Sequence, residues 1–461
     1  MKKILFFALN SSWSQSNLAL KYMRQMVSGM DYTLIEHSAT LSEPLTHVLA
    51  DVYALKPDVI CLSAYIWNRL SLQRIASELG KVLPETLFVV GGPEAYAFEG
   101  MQSCLVIKGA GEAAFHALAE TGFDPSFDVS IIAHLPLSDI PFPYNEADLA
   151  ELEDHLVYYE CYRGCPYHCV YCLSASDERK ELRFDLNKPE EKERLIAELN
   201  ALSALKPRTL KFIDRSFNIH KDLAHLIWDY AIKSHAKHDF HFEIYPDLLS
   251  DEDIALLSKA PENRIRFEIG IQSVNEDVLL RSGRKSDWQK SRHYLNRLRE
   301  ETKVRIHADL LVGLPGGDFQ SVIHSLNELC KTRPAAVQLG MLKVLPDTPM
   351  LEIAHARGYQ WLDDPPYQIL KSDALSYDEI CYLDDLAHLL SLYWNKEEFA
   401  ELWDELLDEF SAREILETLM QLHQEQKQPY HSISRLHREQ NMQEAKARLR
   451  ASIKTSNFLV D

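Results

Sequence analysis

Short runs rich in β-branched and aromatic residues alternate with amphipathic helical stretches through two successive blocks of this chain, and then the strand signals stop. In the first block the strand-like runs are 2–9, 32–37, 58–65, 87–90 and 104–107, with helical patterns such as 18–30 and 45–55 between them. Strands that alternate with helices imply a parallel sheet covered on both faces. The expected form is a doubly wound α/β sheet whose ligand crevice lies beyond the carboxyl ends of its strands. The second block repeats the theme at 156–161, 209–213, 240–244, 264–271, 304–312 and 336–345. Six parallel strands make a partial, open (β/α) barrel, with chemistry at the carboxyl ends of its strands. Pro125, Pro136, Pro141 and Pro143 fall in an aperiodic stretch between the blocks, which reads as a linker. Beyond about residue 376 only helical patterns remain, at 382–393, 396–409, 412–426 and 432–454. The expected division is a doubly wound domain over 1–125, a linker over 126–154, a partial barrel over 155–350 and a helical C-terminal domain over 351–461. The 461-residue length agrees with about three domains at roughly 150 residues each.

A formal net charge of −20 argues against a general nucleic-acid binder, which needs clustered Lys and Arg. The apolar run that begins at Ile4 is broken by Asn10-Ser11-Ser12, too early for a secretory signal. No window offers the ~20 apolar residues of a membrane span. These features set the expectation of a cytoplasmic protein. Of eight cysteines, Cys61, Cys104, Cys330 and Cys381 stand alone, whereas Cys161, Cys165, Cys169 and Cys172 crowd together. In a reducing compartment clustered cysteines read as metal ligands and scattered ones as small core residues.

The cluster lies in Glu160-Cys161-Tyr162-Arg163-Gly164-Cys165-Pro166-Tyr167-His168-Cys169-Val170-Tyr171-Cys172. Three cysteines spaced CxxxCxxC can bind three irons of a [4Fe–4S] cubane and leave the fourth iron open. An open position is what a catalytic metal centre needs. Two other readings stand beside it: a zinc site, and a closed electron-transfer cluster completed by Cys161. Zinc usually takes two well-separated CxxC pairs, and one close pair is present here.

Arg163-Gly164-Cys165-Pro166-Tyr167-His168-Cys169-Val170-Tyr171-Cys172 resembles the signature of the radical S-adenosylmethionine (SAM) superfamily. The resemblance implies that Cys165, Cys169 and Cys172 hold the cluster, that SAM chelates the open iron, and that Tyr171 lies beside the adenine. Cys161 stands where relatives usually carry Ser or Thr, so it is expected to be an extra, non-ligand cysteine. Further matches come in chain order near strand ends: Glu243 in the third barrel strand, Gln272 after the fourth, Arg284 shortly beyond, and Asp309 in the fifth. They resemble the branch that contains oxygen-independent coproporphyrinogen oxidase, where the corresponding residues surround SAM. Arg can pair a carboxylate bidentately, and carboxylates and amides can hold hydroxyls and an ammonium. The family's usual glycine-rich SAM-amine motif has no clear counterpart here. Asp214 and Arg215, after the second barrel strand, are candidates to face substrate or SAM, an ordinary ion pair being the plain alternative.

A doubly wound domain ahead of such a barrel resembles the cobalamin-binding subgroup. The local matches are Ser63, Tyr65 and Trp67 after the third strand, Gly91-Gly92-Pro93-Glu94 after the fourth, and Gly109, Gly111 and Glu112 after the fifth. Glycines there let backbone approach a large planar ligand. The DxHxxG signature that supplies a histidine to cobalt is absent, which implies cobalamin without a protein ligand on the metal, or a domain that binds nothing. The resemblance runs over nearly the whole chain, into a subgroup whose helical C-terminal domain has no assigned role.

The resemblance therefore implies an enzyme that reductively cleaves SAM at a [4Fe–4S] cluster to a 5′-deoxyadenosyl radical and uses cobalamin to methylate an unactivated carbon. The alternatives are cobalamin-dependent radical cyclisation or rearrangement, and a non-enzymatic closed iron–sulfur module. The implied partners are flavodoxin or ferredoxin as electron donor and a small-molecule or peptide substrate.

Overall fold

The computed structural model describes residues 1–457 apart from 176, 178 and 432. Two compact units emerge. The first comprises Met1–Arg163, Lys180–Asp214 and His235–Phe240, the second Gly164–Arg179, Arg215–Ser234 and His241–Asp461.

In the first unit β1 (Lys2–Asn10), β2 (Tyr32–Thr40), β3 (Val59–Ser63), β4 (Leu87–Gly91) and β5 (Cys104–Val106) form one sheet in the order β2-β1-β3-β4-β5. All four pairings are parallel. The expected doubly wound sheet is present, in the order that places a crevice at the β1/β3 switch point. β3 is buried at every position because helices cover both faces. One face packs Leu5, Phe7, Ile60, Leu62 and Val90, the other Ile4, Phe6, Val59, Cys61 and Val89, the period-two alternation of a strand.

The stretch between the blocks is fastened to this domain. Asp148, fully buried in the short helix Asp148–Glu151, accepts from Lys21 Nζ at 2.6 Å and from Arg24 Nη2 at 2.6 Å, both on the helix Leu18–Met26. Glu36, Asp148 and Glu151 bring carboxylates together, but the Lys21 ammonium already sits among them, 2.6–3.0 Å from each. It supplies the charge a cation would, so this cluster is a structural clasp.

A second sheet runs in sequential order through β6 (Leu156–Tyr159), β7 (Thr209–Phe212), β8 (Asp239–Ile244), β9 (Ile265–Gln272), β10 (Arg305–Val312) and β11 (Ala336–Met341). The strands match the expected ones, each within a few residues at its ends. β6 and β7 fall in the first unit and β9 to β11 in the second, and the pairings within each are parallel. In β9 and β10 every second residue is buried and the others are half-exposed, so one face is covered and the other open.

The C-terminal helices belong to the second unit. They begin earlier than the periodicity suggested, at Tyr377, because Ser376 and Glu379 form a capping box. The region is also not wholly helical: Gln360–Trp361 and Ile369–Lys371 make a small antiparallel ribbon. The helix Tyr377–Leu389 runs into a π-turn, Leu390–Trp394, and the next residue, Asn395, accepts from Val337 N at 2.9 Å and donates to Val337 O at 3.0 Å. One amide side chain thus satisfies the edge strand β11 as a further strand would. Farther along, the Tyr393 hydroxyl takes a hydrogen bond from Asn441 Nδ2 (2.9 Å) and meets His423 Nε2 (2.7 Å), tying three helical segments together. Among the described residues no helix is long and apolar enough to cross a membrane.

Candidate functional site

The cysteine loop lies in the second unit, between two hydrogen bonds. Val170 N donates to Ser282 O (3.0 Å), and Val170 O accepts from Met350 N (2.9 Å). Close approach of the 282–284 turn depends on Gly283, whose φ is +69° and where a Cβ would lie 2.5 Å from His168 O. That turn delivers Arg284 to the loop. Its Nη2 donates to Gly270 O and its guanidinium lies 4.3 Å over the Tyr245 ring, which in turn stacks on Tyr167 at 4.3 Å and 15°. Two further polar atoms find no partner in this packed setting: Arg284 Nε and the Tyr171 hydroxyl are both buried and unsatisfied. Burial, with Cys169 close by, pushes the Tyr171 phenol well above its ordinary range. Unpaired buried groups of this kind cost free energy, and they mark places where a ligand can complete the set.

Cys165 Sγ lies 4.0 Å from Ser216 Oγ. Burial raises its thiol, and Cys172 and Cys169 add to the shift, so the three sulfurs share one neighbourhood. They are not drawn into a single-ion geometry: among the described residues, the acidic clasp is the one set of three ligand atoms within 4.8 Å of one another. Tetrahedral zinc with its bonds near 2.3 Å would hold thiolates about 3.8 Å apart.

The other sequence-derived SAM residues lie on the open face or carboxyl edge of the second unit's strands. Glu243, the penultimate residue of β8, faces Arg215 Nη1 at 3.6 Å. Gln272 closes β9 at a bulge and adopts φ +69°, a left-handed conformation uncommon outside glycine. Its amide folds back over Gly270, where a Cβ would sit 2.4 Å from Nε2. Asp309 departs from the expectation that each match falls at a strand end. It lies mid-strand in β10, paired in register with Gly270 and Gln338. Below it on the same face, Glu268 and His307 are register partners, and His241 Nε2 meets Glu268 Oε2 at 2.9 Å. Sequence reading missed this polar row, although the alternation Arg266, Glu268 against Phe267, Ile269 was visible.

Asp214 and Arg215 part company. Asp214, fully buried in the first unit, accepts from Cys161 N at 3.1 and 3.2 Å, and burial beside Glu160 raises its carboxyl well above the usual range. Cys161 is equally buried, and desolvation with the Asp214 charge holds its thiol well above normal.

In the first unit Ser63, Gly91 and the 107–112 loop stand together at the carboxyl ends of β3, β4 and β5. Gly92, at φ +97°, brings this turn so close to Ala64 that a Cβ would lie 2.5 Å from Ala64 O. Ala64 N donates to Gly91 O (2.8 Å) and Glu94 N to Ala64 O (3.1 Å), knitting the two loops. Tyr65 and Trp67 stack at 4.3 Å and 5°, with Trp67 half exposed. Ser63 Oγ is buried without a partner. Pro93 and Gly109 are exposed, and Gly111 packs on Ile107. The two carboxylates are internally engaged, Glu94 with Arg69 (3.5 Å) and Glu112 with Arg163 (2.8 Å). The edge therefore offers bare backbone, one orphaned hydroxyl and an aromatic platform, a surface that fits a broad, flat ligand.

Residues 159–329 match the radical SAM superfamily, residues 13–119 the B12 binding domain, and residues 355–446 a protein family of unknown function, DUF4080. The cobalamin-dependent radical SAM methyltransferase TokK from Streptomyces tokunonensis is 25% identical over 338 residues, 64% of this chain and 48% of TokK. The chain thus spans about half the length of that relative. Among solved structures, the cobalamin-dependent S-adenosylmethionine radical enzyme OxsB, with aqua-cobalamin and SAM bound, aligns at TM-score 0.69 and 12% identity over 100% of this chain and 81% of its own. The radical SAM methyltransferase TsrM from Kitasatospora setae, with cobalamin and a [4Fe–4S] cluster bound, aligns at 0.62 and 15% over 78% and 76%. At these identities the structural likeness is one of fold. The domain matches place a region similar to B12 binding domains ahead of one similar to the radical SAM superfamily, and the solved structures share that fold.

Proposed function

We propose that this protein is a cobalamin-dependent radical SAM enzyme that methylates an unactivated carbon of a small-molecule or peptide substrate, with flavodoxin or ferredoxin as its electron donor. The observation that carries this reading is the convergence, within one unit, of three thiols with two buried, unsatisfied donors, Tyr171 Oη and Arg284 Nε. When bound, an open [4Fe–4S] cluster supplies the reducing electron that cleaves SAM and cobalamin supplies a methyl carrier, while the protein orients both.

Cys165, Cys169 and Cys172 would hold the cluster. Cys161 is left aside: a ligand thiolate needs a setting that favours charge, and Cys161 sits fully buried beside a carboxyl group. Arg284 would receive the SAM carboxylate, its planar fork suited to two parallel hydrogen bonds. Tyr171 would lie against the adenine. Glu243, Gln272 and Asp309 would hold hydroxyl and ammonium groups, and the Tyr167–Tyr245 stack shields one side of the loop from water. Cobalamin would rest on Gly91, Gly92, Pro93, Gly109 and Gly111, with Tyr65 and Trp67 as a platform and Ser63 Oγ as a donor. Glu94 and Glu112 would act by fixing the loops.

The test uses anaerobically reconstituted protein with SAM, dithionite and hydroxocobalamin. Wild type is expected to form 5′-deoxyadenosine, detected by mass spectrometry, and to retain corrin absorbance after desalting; Cys169→Ala should do the second and not the first. Loss of the cluster in Cys161→Ala would overturn the three-cysteine assignment. A product of unchanged mass, rather than one heavier by a CH₂ unit, would replace methylation with rearrangement.

A further inference from the structure

The segment that enters the cysteine loop is anchored by a buried charge bridge. Arg163 Nη2 donates to Glu112 Oε1 at 2.8 Å, while Arg163 also grips both carboxylate oxygens of Glu160, through Nε at 3.2 Å and through Nη2. The three side chains are 12%, 7% and 8% exposed. Two carboxylates sharing one guanidinium out of water hold it in a narrow range of positions, because any displacement leaves a buried charge unpaired.

The ends of this bridge have different duties. Glu112 is the first residue of the helix Glu112–Glu120 and the last of the glycine-containing loop that follows β5. Arg163 lies on a short antiparallel ribbon, Tyr162–Arg163 with Glu181–Leu182, that flanks the cysteine loop, and it precedes Gly164 and Cys165 directly in the chain. The other side of the ribbon is fixed as firmly: Arg183 Nε donates to Glu198 Oε2 at 3.0 Å with Arg183 wholly buried, and Glu181 accepts from Leu137 N at 3.1 Å. With the far side immobile, a shift of the 108–112 loop reaches the ribbon through Glu112 and Arg163.

We propose that Arg163 is a positioning residue that couples the glycine-containing 108–112 loop to the cysteine loop, so that occupancy of the B12-type crevice and binding of SAM at the cluster alter each other's affinity. This rests on the proposed cofactor assignment and adds to it a thermodynamic linkage between the two cofactors. Linkage is reciprocal: the factor by which cobalamin changes SAM affinity must equal the factor by which SAM changes cobalamin affinity. A lysine at 163 keeps the charge but cannot fork to two carboxylates.

The experiment measures four dissociation constants on the reconstituted full-length chain: aquacobalamin by corrin absorbance, with and without SAM, and SAM by its perturbation of the cluster's EPR signal, with and without aquacobalamin. Wild type is expected to give the same coupling factor by both routes, about fivefold or more. Arg163→Lys should bring that factor to one, whatever it does to either affinity alone. If Arg163→Lys loses its cluster, Glu112→Gln decides, because it lies outside the cysteine loop and is expected to lower the factor in the same way. A wild-type factor of one, or a factor retained in Glu112→Gln, overturns the role of Arg163 while leaving the cofactor assignment intact. Failure of wild type to retain any corrin overturns both.

Discussion

Val59–Ser63 is buried at every position, whereas Ile265–Gln272 is buried at every second one. Both strands belong to parallel sheets, yet they offer ligands different things. The first sheet has helices on both faces and can meet a ligand only at its carboxyl edge, with backbone, glycine and an aromatic pair. The second leaves one face open, so charged and amide side chains project along much of its length instead of the layers of branched apolar residues that fill a closed barrel. The first sheet thus supplies shape and the second supplies chemical groups.

The sharpest way to break this comparison is to place a charge in each sheet. Ile60→Asp, at a fully buried position of β3, should cost on the order of 4 kcal/mol or more and abolish cooperative unfolding of the N-terminal unit in urea. Gln338→Glu, on the open face of β11, should shift stability by no more than about 0.5 kcal/mol. Comparable losses from the two would mean that both sheets are covered alike. A smaller effect is expected from Gly270→Ala. Its methyl group would displace the Gln272 amide, so SAM should bind about tenfold more weakly, with a stability loss of about 1–3 kcal/mol typical of overpacking. Unchanged SAM affinity would remove Gln272 from the site.

Ser63→Ala should leave the unliganded protein as stable as wild type, since the hydroxyl has no partner to lose, while weakening cobalamin by about 1 kcal/mol, or roughly fivefold. Apo destabilisation beyond that figure would give the hydroxyl a structural task. The smallest effect concerns His307. Burial, then Arg266, His241 and Arg305, lower its pKa to about 4. The unfolded chain, with its imidazole near 6.5, therefore binds more protons than the native state between those values. The resulting contribution is fully present above pH 6.5 and disappears as pH falls towards 4. His307→Asn should flatten the decline of the urea midpoint across that interval; an identical slope would show that the imidazole titrates normally.

Much of this architecture was legible from periodicity, because β-branched runs and glycine-rich turns encode strands and their carboxyl ends locally. The resemblance of the cysteine segment to the radical SAM signature was legible because that signature is one residue type at fixed spacing within a short local run. The capping box Ser376/Glu379 was equally available, and reading it would have moved that helix start from 382 to 377, whereas the start at 412, capped by Ser411/Glu414, was read correctly. Other features had no local signal. Glu112 and Arg163 meet across 51 residues, and nothing near either one announces the other. Glu94 carries the same side chain whether it faces a ligand or Arg69, and only the fold distinguishes the two. The left-handed turn at Gln272 was hidden for a related reason: tertiary packing imposes it on a residue that does not favour it.

The ribbon formed by Tyr162–Arg163 and Glu181–Leu182 has a consequence for assembly. By holding the ends of the cysteine loop side by side, it closes the loop through hydrogen bonds of the polypeptide itself. The entropy of bringing those ends together is then charged to the folding of the polypeptide. For a flexible loop the closure term grows slowly, by about 0.6 kcal/mol per doubling of length. A change in the length of the stretch after Cys172 therefore carries little thermodynamic cost in closure.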